Sequence, residues 1–439
     1  MRKVLAEYRR HVGALGRNAW LYLISNAIQA VSAGALTVLY TLYLAALGYD
    51  TSFIGLVLVI GSVGGGLGII PAGRVVRRAG WRATLIASDI VGGVALLIQF
   101  VWPTTPVILV TSLGIGASVA LLLVVNTPFL AAHSGEAERT AIFGLNNALG
   151  FLGAVVGALL GGVLPTWLAQ PAVRAWGPLA ALAPLLVAQP QARTYQLALL
   201  MTGALAVPSI IPVLMLREEP RGGGTPPEEP ARWASRLVWP SRETWRRVWA
   251  IAHGPVGRFA ITQSLIGFGA GLYGPYLNLY VVNTLHATTL LYGALSSTLT
   301  VLLALASVLV VPLADRLGQI RSAVVTQFAS LPFLLLIGFA PSLAIAAVAY
   351  LIRGPLMNAA GPPLQAFLMA SVTSERRVLA SSVYNVSWQL AGAIGAGVGG
   401  VLVHELGYSF VFSSTTVLYA ASITLVAIWF GRRAPAGKP

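Results

Sequence analysis

Chemistry inside this chain rests on a handful of polar residues set within long apolar runs. Arg353 is the sharpest of them, about 11 residues from the nearer end of its run, or about 17 Å at about 1.5 Å per residue. In hydrocarbon an unpaired arginine at that depth costs at least about 2.5 kcal/mol. It must therefore meet a carboxylate, water, an anionic ligand or the backbone carbonyls near Gly354 and Pro355. Asn358 and Gln365 follow on the same run, while Asp89 is the one carboxylate well inside an apolar run. Glu405, beside His404, stands near the end of another. A carboxylate so placed can take up and release a proton, or can serve as a fixed polar contact.

A second group is defined by spacing. Asn26, Gln29, Ala33, Thr37 and Tyr40 recur at steps of three and four, which makes one narrow polar stripe on a helix. Ser264, Gly267, Gly271, Pro275 and Asn278 form a related stripe later in the chain, with Tyr273, Tyr276 and Tyr280 adding aromatic surface. Polar residues in apolar helices either hydrogen-bond to neighbouring helices or line a wet cavity. Bond-breaking chemistry has little to work with. The histidines (His11, His133, His253, His286, His404) are scattered without metal-ligand spacing, cysteine is absent, and no Gly-x4-Gly-Lys-Ser/Thr loop occurs. The expectation is no enzyme, no metal and no cofactor.

Composition decides which solvent these residues sit in. With 56% hydrophobic and only 9% charged residues, the polar surface is too small to cover a water-soluble globule of 439 residues. The net charge of +15 does not indicate nucleic acid, because the basic residues fall in short loops between apolar runs rather than on one face or arm. The basic N-terminus precedes an apolar run longer than a signal peptide needs, so it reads as a retained first helix.

Runs long enough to cross about 30 Å of hydrocarbon occupy 18–47, 52–72, 83–102, 105–132, 140–164, 194–216, 257–284, 290–313, 322–340, 342–370, 379–403 and 409–430. The segment 165–193 is too short and proline-broken for a crossing and reads as a lid or interfacial hairpin. With the N-terminus inside, all but Arg174, Arg193 and Arg353 of the 28 Lys and Arg lie on the inner side. That bias places both termini in the cytoplasm. The polar stretch 217–256 divides the runs into two sets of six, giving halves at 1–216 and 257–439. Its first part is a Gly- and Pro-rich linker. Its second reads as an amphipathic helix, with Trp245, Val248, Trp249 and Ala252 opposite Arg242 and Arg246.

The halves are copies. Arg139 to Gly162, RTAIFGLNNALGFLGAVVGALLGG, returns as Arg377 to Gly400, an offset of 238 in residue number. The same offset carries Asn147 to Asn385, Leu47 to Leu285, Gly55 to Gly293 and Gly80 to Gly318. One offset joining scattered matches marks an internal duplication. Glycines four apart within each copy let another helix backbone approach closely.

Twelve spans in two sets of six, a long basic central loop and charged turns after the second and eighth spans resemble the major facilitator superfamily. That family carries, between helices 2 and 3, a signature of roughly Gly-x-x-x-Asp-Arg-x-Gly-Arg-Arg. The second half keeps Asp315, Arg316, Gly318 and Arg321; the first has Gly73, Arg74, Arg77, Arg78, Gly80 and Arg82 but no Asp. The resemblance implies a cytoplasmic gate of Arg74, Arg78, Arg139, Asp315, Arg316, Arg321 and Arg377. In it Asp315 would meet Arg139 and the N-terminus of helix 5. Gly144, Gly153, Gly157, Gly161 and Gly162 also resemble the family's helix-5 antiporter motif, with Ala158 where proline is expected. That motif implies export, although the same spacing equally makes a tight helix interface.

The resemblance and the duplication together imply an all-α protein of twelve transmembrane helices in two pseudo-symmetric bundles, a secondary carrier working by alternating access. The expected cargo is an amphiphilic organic solute, held by Asn26, Gln29, Thr37, Tyr40, Tyr276, Asn278, Arg353 and Asn358. Asp89 and Glu405 are the candidates for coupling to protons, and proton-coupled export is the expected direction. Import or facilitated movement of an organic anion or lipid-like molecule is the alternative, and Arg353 argues for it. The setting would be the plasma (inner) membrane, as a lipid-surrounded monomer.

Overall fold

The computed structural model describes residues 13, 15–135, 138–174, 183–217, 254–372 and 377–431. The amphipathic segment expected near Trp245 lies outside these residues. Among them the secondary structure is helical, with no β-strand. Helix α1 is Arg17–Ala46. The stretch Thr51–Val101 breaks at Gly80 into α2 (51–79) and α3 (81–101). Then come α4 (Thr105–Ala132), α5 (Arg139–Leu168) and α6 (Pro190–Leu214). The second half gives α7 (Pro255–Thr284), α8 (Thr289–Leu317), α9 (Gln319–Gly338) and α10 (Leu343–Ala370). It ends with α11 (377–406) and α12 (408–430), parted at Gly407.

Eleven stretches among the described residues are long and apolar enough to cross a membrane, the last of them, Ala380–Phe430, being 51 residues long. A straight helix of that length would reach about 77 Å, more than twice the hydrocarbon thickness. It turns at Gly407, φ 78° and ψ 173°, a conformation that favours glycine. Counted as two spans, it brings the total to the twelve expected. Large side chains such as Leu309, Val110 and Ile428 stand outward and exposed, as helices surrounded by lipid require.

The duplication is visible in backbone geometry. Gly80 and Gly318, paired by the offset, both have φ 84° where α2 turns into α3 and α8 into α9. Gly48 and His286 are paired in the same way and have φ 97° and 55° at the α1–α2 and α7–α8 corners. Core residues pair too. Leu85, Phe129, Leu130 and Ile142 form part of one buried cluster. Their mates Ala323, Phe367, Leu368 and Ala380 form part of another.

Packing divides the chain into two compact units. The first comprises Met1–Leu47 and Ile60–Leu237, the second Gly48–Val59 and Val238–Pro439. The first turns of α2, through Val59, expected with the first half, thus pack with the second, where the Thr51 hydroxyl donates to the Gly400 carbonyl at 2.8 Å.

Within each unit the helices that carry the duplicated glycines cross a neighbour backbone to backbone. A Cβ at Gly153 or Gly157 of α5 would overlap the α1 carbonyls of Ala27 or Val31. In the second unit a Cβ at Gly395 or Gly399 of α11 would overlap those of Phe268 or Leu272 on α7.

Several elements differ from the expected runs, α2 continuing to 79 rather than 72 and α8 to Leu317 rather than 313. Helix α5 continues through Pro165 to Leu168, four residues beyond the expected end at 164. Pro165 withdraws one backbone donor, and the Thr166 hydroxyl gives the adjoining turn a further bond to Gly162 O at 3.2 Å. Helix α7 is irregular at its end, passing through a 3-10 turn at Gly274–Tyr276 and a π turn at Tyr280–Thr284. Pro275 accounts for the first, because it cannot donate to the preceding turn and its ring crowds that turn's carbonyl.

The segment between α5 and α6 has a short helix, Pro171–Arg174, and a 3-10 turn, Ala183–Leu185. Fully buried Gln196 ties it down, donating to Phe100 O at 2.6 Å and Leu185 O at 3.1 Å and accepting from Val187 N at 2.9 Å.

Candidate solute-binding site

The second unit holds a cavity of about 340 Å³ between α7, α9, α10 and α11, with Tyr419 of α12 on its wall. Arg353 lines it, only 7% exposed. Its Nη1 donates to the Tyr273 hydroxyl. The guanidinium carbon lies 5.1 Å from the Tyr273 ring centroid and 5.5 Å from that of Tyr419, so two aromatic faces flank the charge. Its Nε has no hydrogen-bond partner. Among the described residues no carboxylate pairs with it. A buried donor left unmade costs about 1–3 kcal/mol, more when charged, so the tyrosines compensate this cation only in part.

Gln327, also on the cavity wall, is 4% exposed and its Oε1 has no partner. Asn358 lines the same space and donates to Gly354 O at 2.9 Å, one turn back across Pro355. Gln263, Tyr384, Asn385 and Trp388 complete the polar and aromatic lining. The arrangement offers one delocalised cation, several amides and a set of ring faces. It suits an organic molecule with an apolar body and a polar or anionic head.

Of the expected site residues, Arg353 and Asn358 come together here. Tyr276 is fully buried outside the cavity lining and donates to Ala396 O, tying α7 to α11. Asn278 is 2% exposed and its Oδ1 accepts from Leu279 N at 2.8 Å. Tyr280 donates to Ile337 O at 2.8 Å, and Gln365 is exposed. The α1 stripe lies in the first unit and is bonded to its neighbours. Asn26 donates to Asn146 Oδ1 at 2.9 Å, and Gln29 to Asp89 Oδ1 at 2.8 Å. Tyr40 accepts from Gln99 at 2.6 Å, and exposed Thr37 returns to Ala33 O at 2.9 Å.

Asp89 is half-buried on α3, and its Oδ2 has no partner. Glu405 and His404 are both exposed. Of the gate residues, Arg74, Arg78, Asp315, Arg316, Arg321 and Arg377 are exposed, while the side chain of Arg139 lies outside those described. Gly144 of the helix-5 motif is exposed and a Cβ there would meet nothing within 4 Å. Gly153, Gly157 and Gly161 are taken up by packing against α1, and Gly162 is buried beside them.

The wall residues that sequence reasoning passed over had a faint signal. Gln327 is the repeat mate of Asp89, and Asn385 of Asn147. Nothing local distinguishes Tyr384, Trp388 or Tyr419 from ordinary helix aromatics.

By sequence, no curated protein is close enough to count as a match. Solved structures share the architecture at low identity. The nucleoside transporter NupG (D323A mutant) superposes with a TM-score of 0.69 at 13% identity, over 94% of this chain and 99% of its own. A bacterial homolog of the human lysosomal transporter Spinster, inward-facing and unoccupied, gives a TM-score of 0.70 at 13% identity, over 94% of each chain. The xylose transporter XylE from E. coli gives 0.65 at 15% identity, over 96% of each. At these identities the likeness establishes the fold. The sequence model described as Major Facilitator Superfamily matches residues 22–256 and 259–439, nearly the whole chain. This multi-pass membrane protein, a transporter rather than an enzyme, therefore belongs to the Major Facilitator Superfamily.

Proposed function

We propose that the protein is a secondary carrier of an amphiphilic organic solute, working by alternating access and seating that solute against Arg353. The observation that carries this reading is a buried guanidinium on a cavity wall, between two tyrosines and with no carboxylate partner among the described residues. The shared fold does not call for it. The offset pairs Arg353 with Ile115 and Tyr273 with Ala35, so the first half builds the same bundle with apolar residues at both places. A solute with an apolar body fits the aromatic lining, and its head group would compensate the cation. The setting we propose is the plasma (inner) membrane, with both termini cytoplasmic and the chain acting as a monomer. The halves 1–216 and 257–439 would move as the two bodies, joined by 217–256.

Proton-coupled export, with Asp89 as proton carrier, is the direction suggested by the helix-5 motif. One observation favours the second reading, import or facilitated movement of an organic anion. Gly153, Gly157 and Gly161 are accounted for by packing on α1, as Gly395 and Gly399 are by packing on α7, so the motif needs no directional role.

Purified protein in liposomes tests the reading. Saturable counterflow of a solute found by thermal-shift screening is expected, and Arg353→Ala should abolish it while the variant still elutes as folded protein. Unchanged kinetics in that variant would remove Arg353 from the site. An imposed pH gradient of either sign then gives the direction.

A further inference from the structure

We infer that the solute of this cavity is an organic carboxylate with a hydrogen-bond donor beside its acid group. The inference rests on the proposed role of the Arg353 cavity and makes it chemically narrower. Two orphaned atoms carry it. Arg353 Nε is a charged donor without an acceptor, and Gln327 Oε1 is an acceptor without a donor. Both side chains are more than nine-tenths buried and both line the same cavity. Their needs are opposite, and the protein does not use one to answer the other.

A ligand that answers both must present an acceptor to the guanidinium and a donor to the amide within the one cavity. A planar carboxylate is the natural acceptor, because an arginine receives it through adjacent N–H groups in a fork. A hydroxyl or N–H close to that acid supplies the donor. Each orphaned atom is itself shielded, so the side chain that carries it must turn toward the ligand.

The rest of the wall agrees with such a molecule. Tyr273 and Tyr419 already cover two sides of the cation, so a multiply charged ligand would be short of counter-charge, and no second cation stands among the lining residues. Ile266, Met357, Leu364 and Trp388 provide apolar surface for the remainder. The expected ligand is a monoanion with an apolar or aromatic tail, such as a 2-hydroxy acid or an N-acylated amino acid.

Three probes separate the contributions: mandelate, phenylacetate, which lacks the hydroxyl, and methyl mandelate, which lacks the charge. Binding to the detergent-purified full chain is measured by equilibrium dialysis, with thermal unfolding as the control for fold. The wild type should bind mandelate at least about tenfold more tightly than the ester, the worth of one charge-assisted hydrogen bond, and about three- to tenfold more tightly than phenylacetate, the worth of a neutral one. Arg353→Met should erase the preference for acid over ester. Gln327→Leu should erase the preference for the hydroxyl while keeping that for the acid. Gln327→Glu, nearly the same shape, should weaken both acids more than the ester by placing an anion beside the acid group.

Equal binding of acid and ester by the wild type overturns the inference, as does acid preference that survives Arg353→Met, or no binding of any probe at millimolar concentration. Trp388→Ala distinguishes this from failure of the underlying site. If it weakens all bound probes while no acid preference exists, the cavity is the site and the ligand class is wrong. If it changes none of them, the cavity itself is wrong.

Discussion

Arg353 and Tyr273 touch in two ways at once, the guanidinium donating to the phenol oxygen while lying 5.1 Å from the centroid of the same ring. The two contacts can be separated. Tyr273→Phe keeps the ring and removes the acceptor of Arg353 Nη1, leaving the Tyr419 hydroxyl as the remaining side-chain partner of the guanidinium. A hydrogen bond to a charged group contributes about 1.5–3 kcal/mol, so that variant should lose stability of this order. Tyr273→Ala should lose more, because the ring face contributes a further 0.5–2 kcal/mol or so to holding a cation. Thermal unfolding in detergent measures both. Equal stability of Tyr273→Phe and wild type would mean that the hydroxyl does not hold Arg353.

The glycines of the helix-5 motif should divide into two classes. A Cβ at Gly157 would overlap the Val31 carbonyl and crowd Ala35, both of them α1 backbone that cannot rotate away. Gly157→Val is therefore expected to prevent the α1–α5 crossing and abolish folded protein, and Gly395→Val to do the same at α7–α11. Gly144, with open space around it, should accept alanine with a stability change within about 1 kcal/mol, in the favourable direction if helix propensity decides. Fluorescence-detected size exclusion of the three variants checks this. Tolerance of valine at Gly157 would show that the crossing is looser than drawn.

His286 should be replaceable by glycine with a gain. It is the one non-glycine with positive φ among the described residues, its side chain is exposed, and its repeat mate at the equivalent corner is Gly48. A left-handed backbone costs an ordinary residue about 1–2 kcal/mol, while glycine is penalised by its freedom in the unfolded chain by roughly half that. The net expectation for His286→Gly is a rise in stability of up to about 1 kcal/mol. A lower unfolding temperature would mean that the imidazole makes a contact worth more than the strain.

These residues also mark what could be learned from sequence. The spans were legible because hydrocarbon demands long uninterrupted apolar helices. Gly80 and Gly318 were legible as repeat mates, but that the chain turns on them is a backbone property that spacing does not carry. Arg353 was visible because a cation in such a helix is conspicuous wherever it points. The α1 stripe shows the limit. Spacing placed Asn26, Gln29 and Tyr40 on one face, but whether a polar face meets a cavity or a neighbouring helix depends on residues such as Asn146, Asp89 and Gln99, which lie in other parts of the sequence. Tyr419 and Trp388 were illegible for the same reason, since an aromatic side chain in a lipid-spanning helix carries no sign of facing inward.

Asp89 gives the test of coupling. One carboxylate oxygen accepts from Gln29 at 2.8 Å, and the other is buried without a partner, which is where a carried proton would reside. Asp89→Asn preserves an oxygen for Gln29 and the shape of the group, so the bundle should fold as before. It removes the capacity to exchange a proton. On the proposed role, uptake driven by a pH gradient in liposomes should vanish while solute counterflow at equal pH continues, since counterflow needs the solute site but no net proton movement. Glu405→Gln, at an exposed position, should leave both intact. Gradient-driven uptake that survives Asp89→Asn would remove Asp89 from the coupling step, and loss of both activities would make it part of the solute site or of the packing of α1 on α3.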